Sequence, residues 1–156
     1  MYVAGRRRSG RELRGVYCLI VSVLCDINLR VGALGVRKFP AGKYIYVGSA
    51  LNGLEARIGR HLRTDSQGVR SRPHWHIDYL LLSKDTRIEE VWVKECEEKE
   101  ECWVAEEVSR HGDPIKGFGC SDCNCVSHLF RVEDIDFLRK LGLRPWRKIY
   151  DSGLTP

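Results

Sequence analysis

The chain has 156 residues, of which 43% are hydrophobic and 30% charged, a composition typical of one folded domain. The longest apolar run, residues 16–25, is about half as long as the roughly 20 residues that a bilayer span needs. The Arg-rich start also lacks a signal-peptide pattern, so we expect a cytoplasmic protein without a membrane span. The formal net charge of +5 permits a polyanionic partner without requiring one.

The sequence divides into an arm, a domain and a tail. Residues 1–14 are rich in arginine and lack hydrophobic periodicity, so they are predicted to be a flexible basic arm. The arm is either a solvated tail or a segment that contacts phosphates. The folded domain is predicted over residues 15–142, and residues 143–156 are predicted to be a C-terminal tail.

The first part of the domain is predicted to be extended. Residues 16–24, apolar on both faces, are typical of a central strand. Residues 30–39 form a second extended segment, and residues 43–47 form a third in which alternate tyrosines share a face. Residues 26–43 lie between the first and third segments and must form another strand or an excursion from the sheet.

Helices and strands alternate in the rest of the domain. The expected elements are a helix over 54–63, a strand or helix over 74–82, a strand over 87–95, a helix over 98–111, a strand over 127–132 and a short helix over 134–141. This order predicts an α/β (α+β) domain, in which helices flank a small, mostly antiparallel central sheet.

The last long helix has a carboxylate within its apolar face. At about 100° per residue, Glu101 lies near the middle of that face. A carboxylate buried there is unfavourable unless a cation lies beside it, and that cation is either an arginine or a metal ion. The apolar residues around it are Cys102, Val104, Ala105 and Val108.

Two tyrosine motifs, Gly15-Val16-Tyr17 and Tyr46-Val47-Gly48, lie on the first and third extended segments. Each alone is a weak signal, because most strand tyrosines simply pack. The next helix then presents Arg57 and His61, which are four residues apart on one face, and a later helix presents Glu101. This order resembles the GIY-YIG nuclease superfamily.

A closer resemblance is to a branch of that superfamily long described as a domain of unknown function. Some members of the branch are joined to DNA glycosylases of the endonuclease III type. The resemblance covers roughly residues 15–132. The stretches that carry it are 44–50, 57–62, 74–81, 117–123 and 127–130.

This resemblance implies a metal-dependent endonuclease that hydrolyses phosphodiester bonds in DNA, with structure-selective or repair-related cleavage. Tyr17 would be the general base if a nearby cation lowers its pKa, because a free tyrosine is mostly protonated at neutral pH. Tyr46 would position the attacking water or the phosphate. Arg57 would stabilise charge on the phosphate, and His61 would shuttle a proton or contact the phosphate. Glu101 would hold Mg²⁺ or Mn²⁺.

Nucleic-acid contacts are predicted at four arginines in or after the first helix, where they would follow the DNA backbone. A DNA-repair glycosylase is the functional partner that the resemblance implies. The alternatives are a non-catalytic nucleic-acid-binding module, or a buried Arg57–Glu101 ion pair with the tyrosines in the core. The four arginines are Arg60, Arg63, Arg70 and Arg72.

The seven cysteines favour free thiols or a metal site over a disulfide framework. A C-x2-C-x-C-x2-H pattern predicts either a Zn²⁺ site or a thiol-lined loop beside the cleft, and a small zinc-binding domain is a further alternative function. Four ligands this close together would strain the loop unless one came from elsewhere. His74 and His76 are also candidates for a second metal or for lining the cleft. The residues of the pattern are Cys120, Cys123, Cys125 and His128.

Overall fold

The structure is a computed structural model that describes residues 13–67 and 73–146. Most of the predicted arm and tail, together with Arg70 and Arg72, lie outside the described residues. Within the described ranges, none of the helices is long and apolar enough to cross a membrane.

Eight strands and three α-helices make up the described fold. The strands are β1 (Gly15–Val23), β2 (Ile27–Arg30), β3 (Val36–Phe39), β4 (Gly42–Ala50), β5 (Thr86–Glu95), β6 (Gly112–Pro114), β7 (Leu129–Val132) and β8 (Arg144–Pro145). The helices are α1 (Leu54–Gln67), α2 (His76–Leu81) and α3 (Glu101–Ser109), with 3₁₀ helices at Gly32–Leu34 and Asp136–Leu141.

Six of the strands form one sheet in the order β6-β7-β4-β1-β5-β8, and its neighbouring pairs are antiparallel. The predicted α+β class with a mostly antiparallel sheet is confirmed. The long central strands β1, β4 and β5 carry the core, whereas β6 and β8 have three and two residues, too few for a detectable sequence pattern.

The two faces of the sheet are covered by different helices. Tyr17 and Leu19 of β1 pack in the core cluster that contains Leu54 and Ile58 of α1. The alternate residues of β1 pack instead with α3 and the C-terminal 3₁₀ helix. Because side chains alternate along a strand, both predicted site tyrosines lie on the α1 side of the sheet.

The extra segment between the tyrosine strands is a hairpin outside the main sheet. Strands β2 and β3 pair only with each other in a separate two-stranded sheet, within the described part of the chain. Strands β1 and β4 therefore pair directly over their full length, from Gly15 opposite Ala50 to Val23 opposite Gly42. The single extended segment predicted over 30–39 is interrupted by the 3₁₀ helix Gly32–Leu34.

The ambiguous segment over 74–82 contains a helix. Asp78 accepts hydrogen bonds from the backbone N–H groups of His74 and Trp75, which precede α2, at 2.8 and 2.9 Å. These bonds satisfy donors at the helix start that would otherwise lack partners. The side chain of one aspartate thus fixes where α2 begins.

Candidate active site and metal centre

A cavity of about 510 Å³ brings the tyrosine, arginine and glutamate motifs together. The sheet contributes the start of β1 and the end of β4. The other walls come from α1, α2 and the residues before it, α3, the loop before β7 and the 3₁₀ helix Gly32–Leu34. The motif residues that line it are Tyr17, Tyr46, Arg57 and Glu101.

Tyr17 and His61 form a buried hydrogen-bonded pair. The Tyr17 hydroxyl lies 2.7 Å from His61 Nε2, and each side chain is 1% exposed. Burial raises the pKa of Tyr17 far above its ordinary value, and the adjacent Arg57 guanidinium opposes this shift. Burial lowers the pKa of His61 to about 3, so a neutral phenol meets a neutral imidazole at neutral pH.

The direction of this hydrogen bond depends on the tautomer of His61. With the His61 hydrogen on Nδ1, Nε2 accepts the hydrogen of the Tyr17 hydroxyl. The hydroxyl oxygen can then accept a hydrogen bond from a group in the cavity. His61 Nδ1 is buried without a hydrogen-bond partner among the described residues, a state that costs about 1–3 kcal/mol.

Gly48 makes room for the Tyr17 ring. The two residues lie opposite each other in the β1–β4 pairing, and a Cβ atom on Gly48 would overlap the Tyr17 ring and hydroxyl. The glycine of the Tyr46-Val47-Gly48 motif is thus required because the tyrosine of the other motif crosses its backbone.

Arg57 is held at the cavity by two contacts. Its Nη1 donates to the Ser49 carbonyl at 3.1 Å, and its guanidinium carbon lies 4.6 Å from the Trp75 ring centre. Arg57 and Glu101 are not joined in the ion pair that was one alternative interpretation, because Glu101 instead contacts His128.

Arg60 has a partner inside the protein. Its guanidinium donates to both carboxylate oxygens of the fully buried Asp78, at 3.1 and 3.0 Å, and stacks on Trp75. Burial raises the pKa of Asp78, but the bonds from Arg60 and two backbone N–H groups outweigh burial and lower it overall. The predicted nucleic-acid contact Arg60 therefore anchors α2 to α1, whereas Arg63 is exposed.

His74 and His76 both line the cavity, as one of the two predictions for them required. His76 Nδ1 accepts a hydrogen bond from Gly119 N at 2.7 Å, which ties the loop before β7 to α2. Gly119 and Asp122 of that loop also line the cavity. Neither histidine belongs to the group of potential metal ligands found among the described residues.

Glu101, the first residue of α3, faces the cavity with its side chain 22% exposed. Its Oε2 lies 3.3 Å from His128 Nδ1. Burial raises the pKa of Glu101, while His128 and Lys99 oppose that shift. Its expected neighbour on the apolar face, Cys102, is exposed instead.

A cluster of three thiols and one imidazole, here named the thiolate cluster, lies behind Glu101. Its ligand atoms all lie within 4.8 Å of one another and could hold a metal ion. The members are Cys102, Cys123, Cys125 and His128. Three of these match the predicted set, and the fourth, Cys102, comes from α3.

Cys120, the remaining predicted ligand, is not a member of the thiolate cluster. Its Sγ donates to the Phe118 carbonyl at 3.5 Å. Burial is the main cause that raises the pKa of its thiol to about 12. The observed cluster contains Cys102 of α3 where the sequence predicted Cys120. Its four residues therefore do not all come from one short loop, and the strain expected for such a loop does not arise.

The family comparison agrees with the extent of this fold. Residues 16–145 match the family model described as "Domain of unknown function DUF123". The chain belongs to the DUF123 family. No curated protein and no solved structure matches it significantly.

The Tyr17–His61 pair predicts a specific acid sensitivity of this DUF123 domain. An unfolded chain protonates His61 near pH 6.5, whereas the folded chain resists protonation until about pH 3. Between these values the unfolded state binds more protons, so the free energy of unfolding should fall by about 1.4 kcal/mol per pH unit lost. Urea unfolding at pH 7, 6, 5 and 4 should therefore give a pH slope of the free energy of unfolding that is smaller by about this amount, one proton, in His61→Phe than in the wild type.

Tyr17→Phe is the matched control for that measurement, because it removes the hydrogen bond but keeps His61 buried. It should retain the proton-linked slope of the wild type. An unchanged slope in His61→Phe would contradict the assignment of a buried neutral histidine.

Gly48 and Gly59 predict opposite effects of the same substitution. Gly48→Ala should lower the free energy of unfolding by about 1–3 kcal/mol, because the new methyl group overlaps the Tyr17 ring. Gly59→Ala lies within α1, where the added Cβ meets only the end of the Arg63 side chain, and should raise it by up to about 1 kcal/mol. Thermal or urea unfolding measures both, and equal effects would contradict the described packing.

Proposed function

We propose that this protein is a metal-dependent nuclease of the GIY-YIG type that hydrolyses phosphodiester bonds in DNA. The observation that carries the proposal is one cavity that combines a tyrosine backed by a histidine, an arginine and a carboxylate. Phosphodiester hydrolysis needs these three functions: proton removal from water, positive charge on the phosphoryl group, and a cation site.

The residues at the cavity fit a hard divalent cation. Glu101 and the exposed Asp122 offer carboxylate oxygens on the same cavity, and Mg²⁺ is typically held by one or two carboxylates plus waters and substrate phosphate. When bound there, Mg²⁺ or Mn²⁺ would supply Lewis-acid charge to the phosphoryl oxygens.

Tyr17 and His61 together support the role of general base. The high pKa of Tyr17 means that a free tyrosinate is scarce at neutral pH. Tyr17 instead accepts a proton from the attacking water while its own proton passes to His61 Nε2, 2.7 Å away. His61 is a weak base in the absence of substrate, and the negative charge of an arriving phosphodiester favours its imidazolium form.

Arg57 and Tyr46 support binding of the phosphate. Arg57 lines the cavity, donates one N–H to the Ser49 carbonyl and contacts the Trp75 ring, and a guanidinium has further donors for a phosphate. Tyr46, whose pKa is raised by burial, is a neutral phenol that can orient water or a phosphate oxygen. Arg63 and, outside the described residues, Arg70 and Arg72 would extend the contact along the DNA.

The nuclease proposal predicts loss of cleavage in three variants. Tyr17→Phe, Arg57→Ala and Glu101→Gln should each lower the cleavage rate by about 100-fold or more, because each removes one function at the reacting phosphate. The measurement is cleavage of linear, nicked, branched and damaged DNA with Mg²⁺ or Mn²⁺.

Tyr44→Phe is the control, because it removes a hydroxyl that donates to the Pro40 carbonyl and lies outside the cavity lining. It should cleave like the wild type. Equal cleavage by the wild type and all three cavity variants would contradict the site. Salt-dependent DNA binding without cleavage would instead support a non-catalytic nucleic-acid-binding module. The predicted glycosylase partner is tested by adding a DNA-repair glycosylase and measuring whether the cleavage rate changes.

We also propose that the thiolate cluster binds Zn²⁺. Three sulfur ligands and one imidazole form a set that is common in closed, structural zinc sites. A tetrahedron with Zn–S bonds of about 2.3 Å separates its sulfurs by about 3.8 Å, so ligands within 4.8 Å need only a small contraction. Soft thiolate ligands also favour Zn²⁺ over Mg²⁺.

Cys102 and Cys120 give a matched pair for the zinc site. The purified wild type and Cys120→Ser should each contain about one Zn²⁺ per chain, whereas Cys102→Ser should lose most of it, because only Cys102 belongs to the cluster. Elemental analysis measures the content. Full zinc content in Cys102→Ser would exclude the proposed ligand set.

A further inference from the structure

His128 contacts both the thiolate cluster and the candidate active site. Its Nε2 lies 3.3 Å from Cys123 Sγ. Its Nδ1 lies 3.1 Å from the Val47 carbonyl and 3.3 Å from Glu101 Oε2. The ring is 1% exposed, so neighbouring protein groups rather than water determine which nitrogen carries its hydrogen.

A metal ion on Nε2 determines the position of that hydrogen. Metal coordination uses the lone pair of Nε2 and leaves the hydrogen on Nδ1, where it points to the Val47 carbonyl and Glu101. In the other tautomer, the Nδ1 lone pair faces two acceptor oxygens, an unfavourable arrangement for the Glu101 carboxylate. The ion therefore favours the tautomer that holds Glu101 in place.

The chain makes a second connection between the two sites. Cys102, a cluster member, follows Glu101 directly in the first turn of α3. A metal ion bound by Cys102 would thus fix the backbone that carries Glu101. Val47, the other neighbour of His128 Nδ1, lies between Tyr46 and Gly48 in β4, and both of these residues line the cavity.

We propose that a metal ion in the thiolate cluster positions Glu101 through His128 and thereby controls the affinity of the active-site cavity for its divalent cation. This regulation rests on the proposed function, because it assigns Glu101 to a hard cation. His128 is a positioning residue here, since it acts through Glu101 rather than on substrate.

His128→Cys separates the two contacts of His128. Cysteine at this position supplies a fourth thiolate to the cluster but has no atom equivalent to Nδ1. The variant should therefore bind about one Zn²⁺ per chain while losing the hydrogen bond to Glu101. Removal of a partner that orients a metal ligand typically weakens metal affinity by about 10- to 100-fold.

The deciding experiment titrates zinc-loaded wild type and zinc-loaded His128→Cys with Mn²⁺ and follows free Mn²⁺ by electron paramagnetic resonance. We expect at least about tenfold weaker Mn²⁺ binding in His128→Cys, at equal zinc content and with an unchanged circular dichroism spectrum. Zinc-loaded Glu101→Gln lacks the proposed Mn²⁺ ligand, so the Mn²⁺ that it still binds measures binding at other sites. Wild-type Mn²⁺ affinity in zinc-loaded His128→Cys would overturn the inference.

A second readout does not depend on the cleft cation. In ¹H–¹⁵N spectra of zinc-loaded protein, the His128 Nδ1–H signal should be present and should move in Glu101→Gln. A signal unaffected by this variant would overturn the contact itself. If the signal moves but the protein binds no Mn²⁺, the His128–Glu101 contact exists and the proposed cation site does not. The two readouts thus distinguish failure of this inference from failure of the proposed function.

Discussion

The antiparallel pairing of β1 with β4 is the constraint on which the site depends. It places Tyr17 opposite Gly48, the residue without a side chain that lets the tyrosine ring cross the neighbouring strand. The hydroxyl then reaches His61 on the helix that follows β4. A shift of one residue in this pairing would turn Tyr17 to the α3 face, because strand side chains alternate. The register of two strands thus determines whether the tyrosine, arginine and histidine meet.

Local periodicity carried most of what could be predicted. The apolar segment around Tyr17 predicted a central strand, and helical spacing predicted that Arg57 and His61 share a face. What sequence reasoning missed depends on contacts between distant segments. Asp78 is the partner of Arg60, 18 residues away, and caps α2 as well. The sequence signal for that role is an aspartate within a largely apolar and aromatic segment.

Cys102 shows why the cluster that could hold a metal ion was predicted only in part. Helical phase assigns Cys102 to the apolar face of its helix, but it lies in the first turn of α3 and is exposed to solvent. Its sulfur lies within 4.8 Å of those of Cys123 and Cys125 in the loop before β7. The loop spacing predicted three ligands correctly for the observed cluster, and the fourth depended on how that loop packs against α3. Packing of a loop against a helix leaves no hydrophobic periodicity in the sequence from which it could be predicted.

The β2–β3 hairpin lies outside the main sheet, so its length and sequence do not determine how β1 pairs with β4. It leaves β1 and returns to β4 without entering the main sheet, so residues added to it would not change which residues of those strands face each other. Yet Gly32 and Ala33, at its turn, form part of the cavity wall. A change in this hairpin would therefore alter one wall of the cavity and leave Tyr17, Tyr46 and Arg57 where the sheet and α1 hold them.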